Sequence, residues 1–206
     1  MTKKLYKWKT HSNEDRHINS FNPDTCTWNI PDRALVWLHT YGITSDDIKL
    51  HSFWYDNLGC YLVMPTFNGS ELVHICKRYF GANLEHPKYI TQGFKTGFFK
   101  VFPNPSNNIL VLVEDYLSAI RVSHSFSSIP LHGTFAPREL ILKLLPQRPI
   151  LRFWLDRDAA DKAITQTNKV LQFLPDCGTI ITEKDPKCYT NEEINDIVSL
   201  TLKGIS

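Results

Sequence analysis

The chain has 206 residues, 42% hydrophobic and 21% charged, enough for one compact domain, or a domain with a smaller appendage, around a buried core. Its 23 Lys+Arg against 21 Asp+Glu leave a net charge of only +2, so overall charge does not mark a nucleic-acid binder and such a role must rest on where the charges sit. No run approaches the roughly 20 apolar residues that span a bilayer. The basic start (residues 1–8) has no apolar stretch behind it, and the five cysteines (Cys26, Cys60, Cys76, Cys177, Cys188) form no C-x-x-C pair, which excludes zinc-ribbon and redox-motif readings.

In chain order, residues 1–30 are polar and without period, and read as an irregular arm. Ala34, Leu35 and Leu38 behind Pro31 predict a short helix over 32–40, ended by Gly42, and Ser45-Asp46-Asp47 reads as the cap of a second brief turn. Strand patterns follow at 51–55, 61–64 and 71–79, with Asn68-Gly69 as a hairpin turn, and at 98–102. The run Pro103-Asn-Pro-Ser-Asn-Asn108 reads as a linker, dividing a small α+β subdomain (31–108) from a second domain (109–206). That second domain alternates: strands at 109–113, 129–132, 150–155 and 179–182, helices near 116–122, 137–145, 159–173 and 191–202. Strands apolar throughout must be buried on both faces. Four β-α units therefore predict a small, doubly wound, mostly parallel α/β sheet.

Carboxylates cluster just after these strands, at Glu114-Asp115, Asp156-Arg157-Asp158 and Glu183-Lys184-Asp185. In a parallel sheet the strand tips share the carboxyl edge, where open α/β domains place their ligands. If the first and third strands are neighbours, Glu114, Asp156 and Asp158 converge. Clustered acids raise one another's proton affinity unless a cation compensates. An oxygen-only ligand set suits Mg²⁺ or Mn²⁺, which would orient a triphosphate and activate an attacking hydroxyl. The alternative is that the acids merely cap the helices that follow.

These motifs resemble the TOPRIM domain of bacterial-type and phage primases, topoisomerases and some nucleases: a strand-end Glu (Glu114), Gly-Thr after the second strand (Gly133-Thr134) and Asp-x-Asp after the third (Asp156, Asp158). The stretches 34–43, 64–73, Cys76-Lys-Arg78, His86-Pro-Lys-Tyr89 and Lys184-Asp185-Pro186 resemble primase and primase–helicase sequences around that domain. The chain departs from the pattern in having Glu114-Asp115 for Glu-Gly, and Ala160-Asp161-Lys162 after Asp-x-Asp.

The resemblance implies a TOPRIM-like fold preceded by a smaller α+β unit, and a stand-alone primase core without zinc module or helicase motor. It would make short RNA on single-stranded DNA from NTPs with Mg²⁺ or Mn²⁺, alongside a helicase or a separate zinc-binding replication protein. In that scheme Glu114 is the acid/base and Asp156, Asp158 and Asp185 hold metal. Asp115 and Asp161 either stand behind those ligands or, the reading favoured from their positions, are structural or solvent-facing. Arg78, Lys88, Lys77 and Lys184 contact nucleic acid or nucleotide. Residues 70–100, with five Lys/Arg against two acids, carry the basic surface, where an Arg fork can take two phosphate oxygens. A metal-dependent nuclease, or a degenerate binding module, would use the same residues. The expected setting is cytoplasmic, with reduced thiols and no membrane partner. A phage origin is consistent with the resemblance.

Overall fold

A computed structural model describes residues 22–83, 85–93 and 99–202. Its architecture is mixed α/β, with a five-stranded antiparallel sheet followed in sequence by a four-stranded parallel one.

The antiparallel sheet comprises β1 (Cys26–Thr27), β2 (Trp54–Asp56), β3 (Tyr61–Asn68), β4 (Glu71–Tyr79) and β5 (Tyr89–Gly93), in that spatial order. The hairpin joining β3 to β4 turns at Gly69, whose φ of +60° suits a residue without Cβ. Two helices separate β1 from β2: α1 (Asp32–Thr40) and α2 (Ser45–Leu50). Thr44 and Asp47 form a reciprocal capping box at the start of α2.

In the second half β6 (Ile109–Val113), β7 (Ser127–Pro130), β8 (Ile150–Trp154) and β9 (Cys177–Thr179) pair in parallel, in the order β7-β6-β8-β9. The connecting helices are α3 (Tyr116–Ser123), α4 (Arg138–Leu144) and α5 (Ala160–Val170), with α6 (Asn191–Leu200) last. Alternate β6 residues face opposite ways. Leu110 and Leu112 pack with α4 and α5, whereas Ile109, Val111 and Val113 pack with α3 and α6. Both faces are thus covered, which is why these strands carry no polar alternation. Each fully buried aliphatic side chain stabilises by about 1.5–3 kcal/mol.

One apolar cluster joins the two sheets: Phe53, Tyr55, Leu62 and Met64 pack with Val111, Val113, Tyr116 and Trp154. The Tyr116 hydroxyl, buried within it, donates to the Pro65 carbonyl at 2.9 Å. That fixes α3 against β3 and commits the phenol to structure.

Several elements differ from their predicted extent. Phe102 makes a single antiparallel bridge with Ser128. Pro103, lacking an N–H, cannot extend a ladder there, and residue 98 lies outside the described residues. β5 was not expected; it is specified by pairing with β4 (Arg78 opposite Tyr89) more than by its own short pattern. β9 closes at Thr179, after which the Ile180 N–H bonds the Phe153 carbonyl of β8 and the Thr182 hydroxyl accepts from the Trp154 indole. Most of the predicted irregular arm (residues 1–21) lies outside the described residues, while Cys26–Thr27 pairs with β2.

Candidate active site

β6 and β8 are neighbours, and between them the strand order reverses, since β7 lies on one side and β9 on the other. Such a reversal opens a crevice at the carboxyl edge. Here the crevice is a cleft of about 260 Å³, lined by Glu114, Asp115, Asp156, Lys187, His132 and Gly133 from the parallel half and by Trp37, Met64, Cys76, Tyr89 and Thr91 from the other.

The capping role falls to Asp115. Its Oδ1 accepts from the Leu117 and Ser118 N–H groups at 2.9 and 3.1 Å, and its Oδ2 from the Ser118 hydroxyl. Glu114 is thereby left to the cleft, and its Oε2 is buried without a hydrogen-bond partner among the described residues. Burial first, then the Asp158 and Asp115 charges, raise its proton affinity, with Lys162 and Lys187 opposing. Asp156 Oδ1 is buried and unpartnered in the same way, and no helix N–H bonds the Asp156 side chain. Burial, reinforced by Asp115, Asp185 and Glu114 against the pull of Lys187, pushes the Asp156 carboxyl up to about 7. A buried acceptor without a donor costs stability, so these two acids are not explained as structural caps.

The cation already present is Lys187, which sequence reasoning missed. It sits on a single 3-10 turn (Pro186–Cys188) after β9. Its Nζ donates to Asp115 Oδ2 and Asp185 Oδ2, both at 2.9 Å, and lies 3.7 Å from Asp156 Oδ2. Burial opposes the ammonium charge, but these carboxylates hold its pKa above the ordinary range. Asp185 therefore pairs with Lys187; Lys184 is exposed and lies over the Tyr189 ring.

The remaining predicted residues divide. Asp158 is exposed yet close enough to raise Glu114 electrostatically. Asp161 is exposed in the first turn of α5. Gly133 lines the cleft with φ +152°, a conformation side chains rarely adopt, and its N–H bonds the Glu114 carbonyl at 3.2 Å. Thr134, next in the chain, is half-buried. The preceding His132 is left-handed (φ +51°), and its ring lies against that of His74, 4.0 Å between centroids and tilted by 35°. Of the two only His132, a non-glycine residue, is in an unfavourable backbone conformation, of the kind that clusters at functional sites.

On the antiparallel side, Arg78 is clamped between rings, 4.4 Å from the Trp37 centroid and 4.9 Å from that of Tyr89. Its Nε and Nη1 are buried without hydrogen-bond partners among the described residues. Lys88, exposed, reaches over Tyr89 at 5.9 Å. Lys77, one residue before Arg78, faces the other side of the sheet, where it pairs with Asp56 at 3.6 Å.

The donor chemistry of Glu114 and Asp156 fits a hard divalent cation, and their orphaned oxygens are what such an ion would satisfy. Among the described residues, however, no three His, Cys, Asp or Glu side chains are gathered to hold a metal ion. No helix in the described residues is long and apolar enough to cross a membrane. In comparisons with known proteins, no family model and no curated sequence matches the chain.

Proposed function

We propose that the chain is a TOPRIM-type, primase-like nucleotidyltransferase that binds single-stranded DNA and nucleoside triphosphates and joins nucleotides with release of pyrophosphate. One observation carries this reading. Two carboxylates, Glu114 and Asp156, tip adjacent parallel strands where the strand order reverses, face one cleft, and each keep a buried oxygen without a partner. Maintaining two such acids costs stability, and functional sites are where that cost is tolerated.

Glu114 and Asp156, with Asp158 at the rim, would hold Mg²⁺ or Mn²⁺, which when bound screens phosphate oxygens and lowers the proton affinity of an attacking hydroxyl. The protein's own groups supply the rest. Glu114, whose proton affinity is raised by burial and the neighbouring carboxylates, is suited to take the hydroxyl proton. Arg78, now clamped between Trp37 and Tyr89 with Nε and Nη1 buried, would offer its guanidinium to phosphate once a ligand takes the place of a ring. The Trp37 and Tyr89 faces beside it suit unpaired bases, which stack on aromatic rings.

Lys187 supports a second reading. Because its one positive charge already pairs with Asp115 and Asp185 and lies close to Asp156, the cleft is also compatible with a cation-independent module that binds nucleic acid or a replication protein. Incubation with labelled single-stranded DNA, NTPs and Mg²⁺ separates the readings. RNA products lost in Glu114→Gln and Asp156→Asn support synthesis. Shortened DNA replaces synthesis with hydrolysis, and DNA binding without any product, unchanged in both variants, replaces catalysis with binding.

A further inference from the structure

We propose that the outer face of the antiparallel sheet, together with the basic start of the chain, is a second surface for single-stranded nucleic acid, separate from the cleft. It extends the single-stranded DNA binding of the reading above and draws on none of the cleft residues.

The surface begins at Trp28, directly after β1, which is 66% exposed. The backbone presenting its ring is fixed, since the Asn29 N–H bonds the Thr27 hydroxyl and the Ile30 N–H the Trp28 carbonyl, both at 3.1 Å. The Trp28 ring meets Trp54 of β2 at 5.8 Å and 88°, and Trp54 meets Phe67 of β3 at 5.9 Å and 73°. Tyr55 points into the apolar cluster that joins the two sheets, so Trp54 and the rings against it stand on the opposite face. None of the three belongs to either apolar cluster of the described residues. Edge-to-face contacts hold the rings in place without stacking one upon another, which leaves the Trp28 indole open to a base. Unpaired bases stack on such rings whatever their sequence, because every base has a π-face.

Charge points to nucleic acid as the occupant. Residues 1–21, which lead through Asn22 into β1, hold five of the 23 Lys+Arg but only two of the 21 Asp+Glu, so that the other residues together are net negative. Four of the five fall in Lys3-Lys-Leu-Tyr-Lys-Trp-Lys9, interleaved with two aromatic residues. Clustered lysines supply phosphate contacts, and the aromatic residues among them can take bases. A stretch of this length reaches on the order of 70 Å when extended, enough to follow a strand lying across the sheet. Lys77, on the same face of β4, already pairs with Asp56, so the phosphate charge falls to the basic start.

The test is fluorescence anisotropy of a labelled oligo(dT) 20-mer with the full chain in EDTA, over a range of NaCl concentrations. Trp28→Leu should weaken binding about tenfold with an unchanged salt slope, since one stacked base is lost and no phosphate contact. Trp28→Phe, which keeps a ring, should retain most of the affinity. Because Trp28 is exposed, both variants should keep the wild-type circular dichroism spectrum. Changing Lys3, Lys4, Lys7 and Lys9 together to Gln should instead lower the slope of log K against log salt by about 2–3. Equal affinity of wild type and Trp28→Leu, or an unchanged slope in the lysine variant, overturns this surface and leaves binding in the cleft standing. Binding to phosphatidylserine vesicles but not to the oligonucleotide assigns the basic start to a lipid surface and overturns both this proposal and the DNA-binding part of the reading above. Trp28-dependent binding by a wild type that makes no RNA removes the catalytic reading alone.

Discussion

Two half-buried charge clusters flank α3, and they are built in opposite ways. At its C-terminal end, Asp47 of α2 meets His124 and Arg121. Asp47 Oδ1 accepts from His124 Nε2 at 2.9 Å, and Oδ2 accepts from the Thr44 N–H and hydroxyl. Arg121 reaches the other His124 nitrogen at 3.2 Å and the carbonyls of Gly42 and Tyr189. Gly42 suits this place because its φ is +66°, and any Cβ there would lie 2.9 Å from the guanidinium carbon and push it aside. Burial works against the Asp47 charge, but the His124 and Thr44 hydrogen bonds bring its pKa down to about 2. At the N-terminal end of α3, Glu114 and Asp156 keep unpartnered oxygens, and Asp156 rises to about 7. A carboxylate whose lone pairs are all used is part of the framework. One left short of donors inside a cleft marks a place where something else binds.

That contrast can be broken by experiment, and the largest effect should fall on chemistry. Glu114→Gln or Asp156→Asn should lower nucleotide incorporation by about 100-fold or more with the circular dichroism spectrum unchanged. Next, Asp47→Ala should cost about 2–4 kcal/mol in urea unfolding, because it leaves Arg121 and His124 without their carboxylate and removes a helix cap. The same group fixes an acid limit. With its folded pKa lowered from an ordinary 3.8 to about 2, its stabilising contribution is complete above pH 4 and lost as the pH falls towards 2. Asp156 should behave in the reverse sense. Its folded pKa is raised, so the metal-free wild type should lose stability as pH climbs from about 4 through about 7. Asp156→Asn should accordingly be more stable than wild type by roughly 1–2 kcal/mol at pH 8, with no advantage at pH 4; a destabilised variant at pH 8 would move Asp156 into the framework class. The smallest effect belongs to Arg78→Ala, expected to reduce the slope of log K against log salt for single-stranded DNA by about 0.7, one phosphate contact. An unchanged slope would remove Arg78 from the interface.

What could be read from the chain divides along local and distant determinants. The apolar runs of β6 and β8 carry their own evidence, because strands buried on both faces leave an unbroken hydrophobic stretch in the sequence. The β3-β4 hairpin announces itself through Asn68-Gly69, and the acids at Glu114 and Asp156 follow directly from the strand ends. Lys187 did not show itself. Its partner Asp115 is 72 residues earlier, and no local pattern distinguishes a lysine that enters a cleft from one in solvent. The only hint was its place two residues beyond Asp185, one of the acids singled out from the sequence. Lys77 and Arg78 show the same limit from the other side: adjacent basic residues on one strand, yet pleating sends one to Asp56 and the other to Trp37.

The apolar cluster that joins the two sheets has a practical meaning. Cutting the polypeptide at 103–108 to isolate residues 109–202 would bare the α3 side of β6, including Val111, Val113 and Tyr116, and strip the cleft of Trp37 and Tyr89. A shortened fragment of that kind should be sticky and inert, so any assay of catalysis calls for both sheets in one molecule.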